Sequence, residues 1–121
     1  MKKNVAILGA SAKTDRYSNM AQKILVDQGY NVYPVNPGYE NIDGVKCYKS
    51  YSDIKDEIHS LLIYMNPSRL NEIIPEILFG KPERIIFNPG SEDDEIENLL
   101  KQNGIEIIEA CSLVLLKSGR F

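Results

Sequence analysis

The 121-residue chain has one histidine, His59, and two cysteines, Cys47 and Cys111. A base is defined by its position and partners, so a lone histidine in "KDEIHSLL", ahead of an apolar run, supports no Ser-His-acid or Cys-His pair. There is no Cys-x-x-Cys and no metal-ligand spacing, which leaves no zinc site to propose. Basic residues are not in excess: 14 Lys and Arg face 17 Asp and Glu, for a net charge of −3. That argues against nucleic acid as a partner, because its binders carry a basic footprint. No apolar run approaches the length of a membrane span. The start, "MKKNVAIL", is basic then apolar like a leader, but Gly9, Lys13, Asp15 and Arg16 cut the run short. The expectation is a cytoplasmic protein with free thiols.

The two common glycine-loop motifs are also missing. "VAILGASAKTDRYSNM" breaks at Gly9 as a phosphate loop does. Ser11 and Thr14 stand where a G-x-G-x-x-G fingerprint needs its other glycines. Lys13-Thr14 resembles the end of a P-loop, but no glycine precedes the lysine.

Five short apolar runs are present: Asn4 to Leu8, Asn31 to Val35, Leu61 to Met65, Arg84 to Asn88 and Ile105 to Glu109. The first, third and fourth are nearly continuous in hydrophobicity, as in strands covered on both faces. Between them lie helical patterns: "SNMAQKILVDQG", a short "SDIKDEI", "SRLNEIIPEILFG" with an inward stripe of Leu70, Ile73, Ile74, Ile77 and Leu78, and "SEDDEIENLLKQNG" with Ile96, Leu99 and Leu100 inward. Pro75 inside the third predicts a kink. The alternation predicts one α/β domain over residues 1–121: a Rossmann-like three-layer fold, with a mostly parallel five-stranded sheet and helices on both faces. Asn36-Pro37-Gly38 and Asn88-Pro89-Gly90 each follow a strand, where open α/β sheets bind ligands.

The helix starts differ in charge. The fourth helix has Ser91 as an expected N-cap and Glu92, Asp93 and Asp94 in its opening turn, so its dipole is already complemented. Asp53 and Asp56 do the same for the second. The first helix opens without an acid, and Lys13 and Arg16 lie just before it. A phosphate is expected there, with the acid-free start of the third helix as a second wall. A plainer alternative stays open: Ser18 or Asn19 caps the helix and the basic residues are solvated. An NAD site would want an acid at the end of the second strand, where this chain has Asn36 and Pro37.

Taken in order, "GASAKTDRYSNMAQKIL", "VYPVNPGYENIDGVKCYKS" and "NPGSEDDEIENLLKQNGIEIIEACSLVLLK" resemble the small stand-alone CoA-binding domain family, over essentially the whole chain. That family resembles the nucleotide-binding domain of the succinyl-CoA synthetase α subunit. The resemblance implies a Rossmann-like domain that binds coenzyme A. Gly9, Ala10 and Ser11 would approach the pyrophosphate, Lys13 and Arg16 would meet phosphate groups, and Ser18 and Asn19 would lie at the helix start. Val35, Asn36 and Pro37 would border the adenosine. Tyr64, Met65, Asn66 and Pro67, and then Phe87, Asn88, Pro89 and Gly90, would line the rest of the cleft. The chain departs from the family where a bulkier or basic pair commonly follows the third strand, here Met65-Asn66. It departs again where a glutamine often ends the fourth, here Asn88.

The expected function is therefore non-catalytic binding of coenzyme A or acyl-CoA, as a sensor or carrier. The ligase chemistry of the synthetase lies outside this domain. The alternatives are an NADP-linked oxidoreductase and the binding subunit of an acyl-CoA ligase. A homodimer is left open. Cys111, in "IIEACS", is read as a small buried thiol, with a reactive thiol or a mixed disulfide with CoA as the other reading. Cys47 is read as structural, with Lys46 and Lys49 able to lower its pKa if it is exposed.

Overall fold

The computed structural model describes residues 3–121; Met1 and Lys2, the start of the leader-like stretch, lie outside them. Strand β1 (Asn4–Leu8) leads into helix α1 (Tyr17–Asp27) and strand β2 (Asn31–Val35). A two-strand hairpin follows, β3 (Asn41–Ile42) and β4 (Val45–Lys46), then a single 3₁₀ turn at Tyr51–Asp53. Strand β5 (Ser60–Ile63) precedes two short helices, α2 (Pro67–Asn71) and α3 (Ile74–Gly80). The chain ends β6 (Arg84–Phe87), α4 (Asp94–Gln102), β7 (Glu106–Glu109) and α5 (Ser112–Lys117).

The five long strands form one sheet in the order β2-β1-β5-β6-β7, every pair parallel. Alternate residues of each strand bury against opposite helix layers, because side chains of a strand point alternately to the two faces. Val5 and Ile7 pack with Ala21 and Leu25 of α1 and Leu113 and Leu116 of α5. Ala6 and Leu8 pack on the other face with Leu70 of α2, Ile74 and Ile77 of α3, and Ile96 and Leu100 of α4. The result is the expected three-layer, Rossmann-like α/β fold. Its strand order is the doubly-wound one in which the chain turns one way from β1 and the other way from β5.

Local differences have local causes. Pro75 does not kink one long helix; it divides the segment in two. It sits in the first turn of α3, where a missing N–H costs nothing. "SDIKDEI" gives no helix beyond the 3₁₀ turn, since it has only Ile54 and Ile58 to bury and runs extended from Ile54. Helix α4 is capped by Asp93, not Ser91: Asp93 Oδ1 accepts from Ile96 N at 3.0 Å, and Glu97 Oε2 accepts from Asp93 N at 3.1 Å. Leu99 faces outward, 42% exposed, against the expected inward stripe. The β3–β4 hairpin turns on Asp43-Gly44, with φ of 50° and 79°, the positive pair that a type I′ turn requires.

Candidate functional site

The carboxyl ends of β1, β2, β5 and β6 surround an open cleft of about 600 Å³. It lies where β1 and β5 are neighbours and their outgoing chains diverge, the place such sheets leave a crevice. Gly9 makes this junction possible. It ends β1 at φ +85°, and a Cβ there would stand 2.4 Å from the Tyr64 carbonyl oxygen. Its glycine requirement therefore comes from the backbone of the loop after β5.

Three loops are fixed by asparagines, each followed by proline. Asn36 Nδ2 donates to Ala10 O at 2.8 Å, and its Oδ1 accepts from Gly38 N at 2.8 Å. Asn66 Oδ1 accepts from Arg69 N at 3.0 Å and from Ser68 Oγ at 2.8 Å, which caps α2. Asn88 Nδ2 donates to Ile63 O at 3.2 Å, while its Oδ1 accepts from Ser112 N at 2.7 Å. Asn36 and Asn66 hold the turns that follow them, while Asn36 and Asn88 also tie their loops to neighbouring elements. Both ends of the Asn36 and Asn88 amides, and the Oδ1 of Asn66, are engaged inside the protein.

The start of α1 is different. Its N-cap is Arg16, no side chain caps it, and its first turn contains no acid. Ser18 and Asn19 fall inside the helix and are buried, so the capping alternative does not hold. The orphan N–H groups of the first turn and the positive dipole end face the cleft, where Ser11, Lys13, Arg16, Tyr17 and Ser18 all line the wall. Asn19 braces this loop from behind: its Nδ2 donates to Ser11 O at 2.9 Å and to Asp43 Oδ2 at 2.8 Å.

Most of the residues singled out in the sequence converge on the cleft. Gly9, Ala10, Ser11, Lys13, Arg16 and Ser18 line one side, with Asn36 beside them. Met65, Asn66, Asn88, Pro89 and Gly90 line the other. Five stand off it: Asn19 is the brace just described, Val35 and Phe87 are buried in the sheet core, Pro37 points out on the turn, and Pro67 opens α2. Tyr64 lines the cleft too, as expected, whereas sequence reading missed Tyr17, Tyr39, Arg69 and Ser91. The acid-free start of the third predicted helix was a signal for Arg69. Among the described residues, three cations line the cleft, Lys13, Arg16 and Arg69, and no Asp or Glu does.

The titrating groups sit mostly elsewhere. Burial pushes the Tyr64 phenol up to about 12, so the ring meets the cleft as a neutral wall. Burial also raises the Cys47 thiol, outweighing the nearby Lys49, and Sγ donates to Asn36 O at 3.5 Å. Cys111 is half-buried at the start of α5. His59 stands at the amino edge of the sheet, with Nδ1 2.7 Å from Ser60 Oγ, and burial together with Lys3 lowers its pKa. Among the described residues, Asp94, Glu97 and Glu109 gather carboxylate oxygens within 4.8 Å of one another, away from the cleft. Burial, then the hydrogen bond with Glu109, raises the pKa of Glu97.

A family described as the CoA binding domain matches residues 3–117. The chain belongs to that CoA-binding domain family. The domain is similar to an ADP-forming acetate–CoA ligase of Methanocaldococcus jannaschii, 34% identical over 83% of this chain but only 15% of that protein's length. It is also similar to protein YneT of Bacillus subtilis, 29% identical over 88% of this chain and 78% of that one. A solved structure from Thermus thermophilus superposes with a TM-score of 0.91 at 31% identity, covering 99% of this chain and 91% of that one.

Proposed function

We propose that this domain binds coenzyme A or an acyl-CoA in the cleft and performs no chemistry on it, serving as a sensor or carrier. One observation carries the reading. The uncapped, acid-free start of α1 opens into a cleft with Lys13 and Arg16 and no carboxylate, in a chain of net charge −3. A diphosphate there gains unpaired N–H groups, the helix dipole and two cations at once. The cleft wall offers serine hydroxyls but neither histidine nor cysteine, which supports a binding role. Both thiols are free, which supports a reducing compartment, and the cytosol is part of this proposal.

A second reading has its own support. The similarity to acetate–CoA ligases supports reading it as the CoA-binding part of a ligase assembled with other chains or segments. The NADP-linked oxidoreductase is the weaker alternative, since Asn36 stands where a ribose carboxylate would be and its amide already holds Ala10 and Gly38.

Calorimetry with CoA, NADH, NADPH and ATP tests the proposal. CoA is expected to bind, and Lys13→Ala and Arg16→Ala are each expected to lose about 1.5–3 kcal/mol of affinity. Binding of NADPH with no binding of CoA at millimolar concentration would overturn it. Acyl-CoA formation only on adding an ATP-binding partner would favour the ligase reading.

A further inference from the structure

We propose that Arg69 is a third anion contact of the cleft, and that it closes on the ligand's diphosphate from the wall opposite Lys13 and Arg16. The inference rests on the coenzyme A reading above and deepens it.

The geometry follows from the sheet. Helix α1 packs on the face of Val5 and Ile7, whereas α2 packs on the face of Ala6 and Leu8. Both helices begin at the carboxyl ends of the adjacent strands β1 and β5. Their starts therefore stand on either side of the same strand ends. Lys13 and Arg16 precede α1, Arg69 lies within α2, and all three line the cleft. Neighbouring strands are about 4.8 Å apart, so a group seated over the β1–β5 junction lies within a long side chain's reach from both walls.

The state of the four arginines points the same way. Arg84 donates to Ser60 Oγ at 2.6 Å and lies over the Phe121 ring at 4.6 Å. Arg120 donates to Ser118 Oγ at 3.1 Å. The guanidinium groups of Arg16 and Arg69 have no such partner among the described residues, and both line the cleft. Of Arg69 the backbone is engaged, its N–H by the Asn66 cap and its carbonyl oxygen by Glu72 N, while the guanidinium is not. The cap fixes where the side chain begins and leaves the planar fork free for two phosphate oxygens. On the same side both ends of the Asn88 amide and the Oδ1 of Asn66 are engaged internally, and Arg69 is the cation on that wall.

The test is calorimetry of unmodified protein, Arg69→Ala and Arg69→Lys with CoA, 3′-dephospho-CoA and ADP at one salt concentration. Arg69→Ala is expected to weaken all three ligands by a similar factor, roughly ten- to hundredfold. Arg69→Lys is expected to recover part of it, as a point charge without the fork. Arg69 is exposed, so the melting temperature of each variant is expected to stay near that of the parent. A loss confined to CoA would place Arg69 on the 3′-phosphate and overturn the diphosphate contact. No loss for any ligand would remove Arg69 from the site. If the unmodified protein binds none of the three, the coenzyme A reading itself fails, an outcome distinct from the other two.

Discussion

Asn36 Nδ2 lies 2.8 Å from Ala10 O, and this bond joins the loop after β2 to the loop after β1. The same residue receives Gly38 N on its Oδ1 and Cys47 Sγ on its backbone oxygen. One side chain thus shapes two edges of the cleft. Asn36→Ala leaves Gly38 N and Ala10 O without these partners. It is expected to cost about 1–3 kcal/mol of stability, measured by urea unfolding, and to weaken CoA binding as well.

Asp43 offers a cleaner separation of loop geometry from stability. Its carboxylate holds Asn19, which holds Ser11, yet its own backbone sits at φ 50°. Asp43→Gly removes the carboxylate while keeping a residue that tolerates positive φ. The fold is expected to persist, and CoA affinity to fall by about 1 kcal/mol as the α1 loop loosens. Asp43→Asn keeps a side-chain acceptor and tolerates the turn, so it is expected to restore affinity. Equal affinity in all three proteins would show that the brace does not shape the site.

Glu97 sets a pH dependence unconnected with the ligand. Buried and bonded to Glu109, it holds its proton more tightly in the folded state than in the unfolded one. The folded pKa is the raised one. The associated stability is therefore complete below the ordinary carboxylate range and is lost as pH rises through the folded value. Glu97→Gln keeps an acceptor for Asp93 N and adds a donor toward Glu109. It is expected to stabilise the protein by on the order of 1 kcal/mol at pH 8 and to change little at low pH. Urea midpoints across pH 4–8 check this; a larger gain at low pH would reverse the assignment.

Much of the fold was legible because its strands are short apolar runs between unmistakable stops. All five sheet strands lie within a residue or two of their expected places. The α1 start was legible from an absence of acids. The hairpin was not read, although "IDGV" carries the Asp-Gly pair of a type I′ turn, because two-residue strands have no periodicity to detect. Helix α5 escaped for a similar reason: six residues bury only Ser112, Leu113 and Leu116. The asparagines line the cleft as expected, but their second role was not read. "Asn-Pro" after a strand read as ligand-facing, yet a polar side chain in a tight turn has backbone groups closer than any ligand. Arg69 was passed over because its segment was read for an apolar stripe, and a stripe says nothing about the residue on its other side.

The chain has seven tyrosines and no tryptophan, and three of the seven, Tyr17, Tyr39 and Tyr64, line the cleft. In most proteins indole emission hides what phenols do. Here nothing outshines them, and nearly half of the emitting rings stand around the ligand's seat. Tyr64 is held neutral by burial, so pH will not dim it over the physiological range. The protein is in this sense its own optical reporter. A purine or acyl chain entering the cleft would be seen in native tyrosine fluorescence without a label, a coupled enzyme or any turnover.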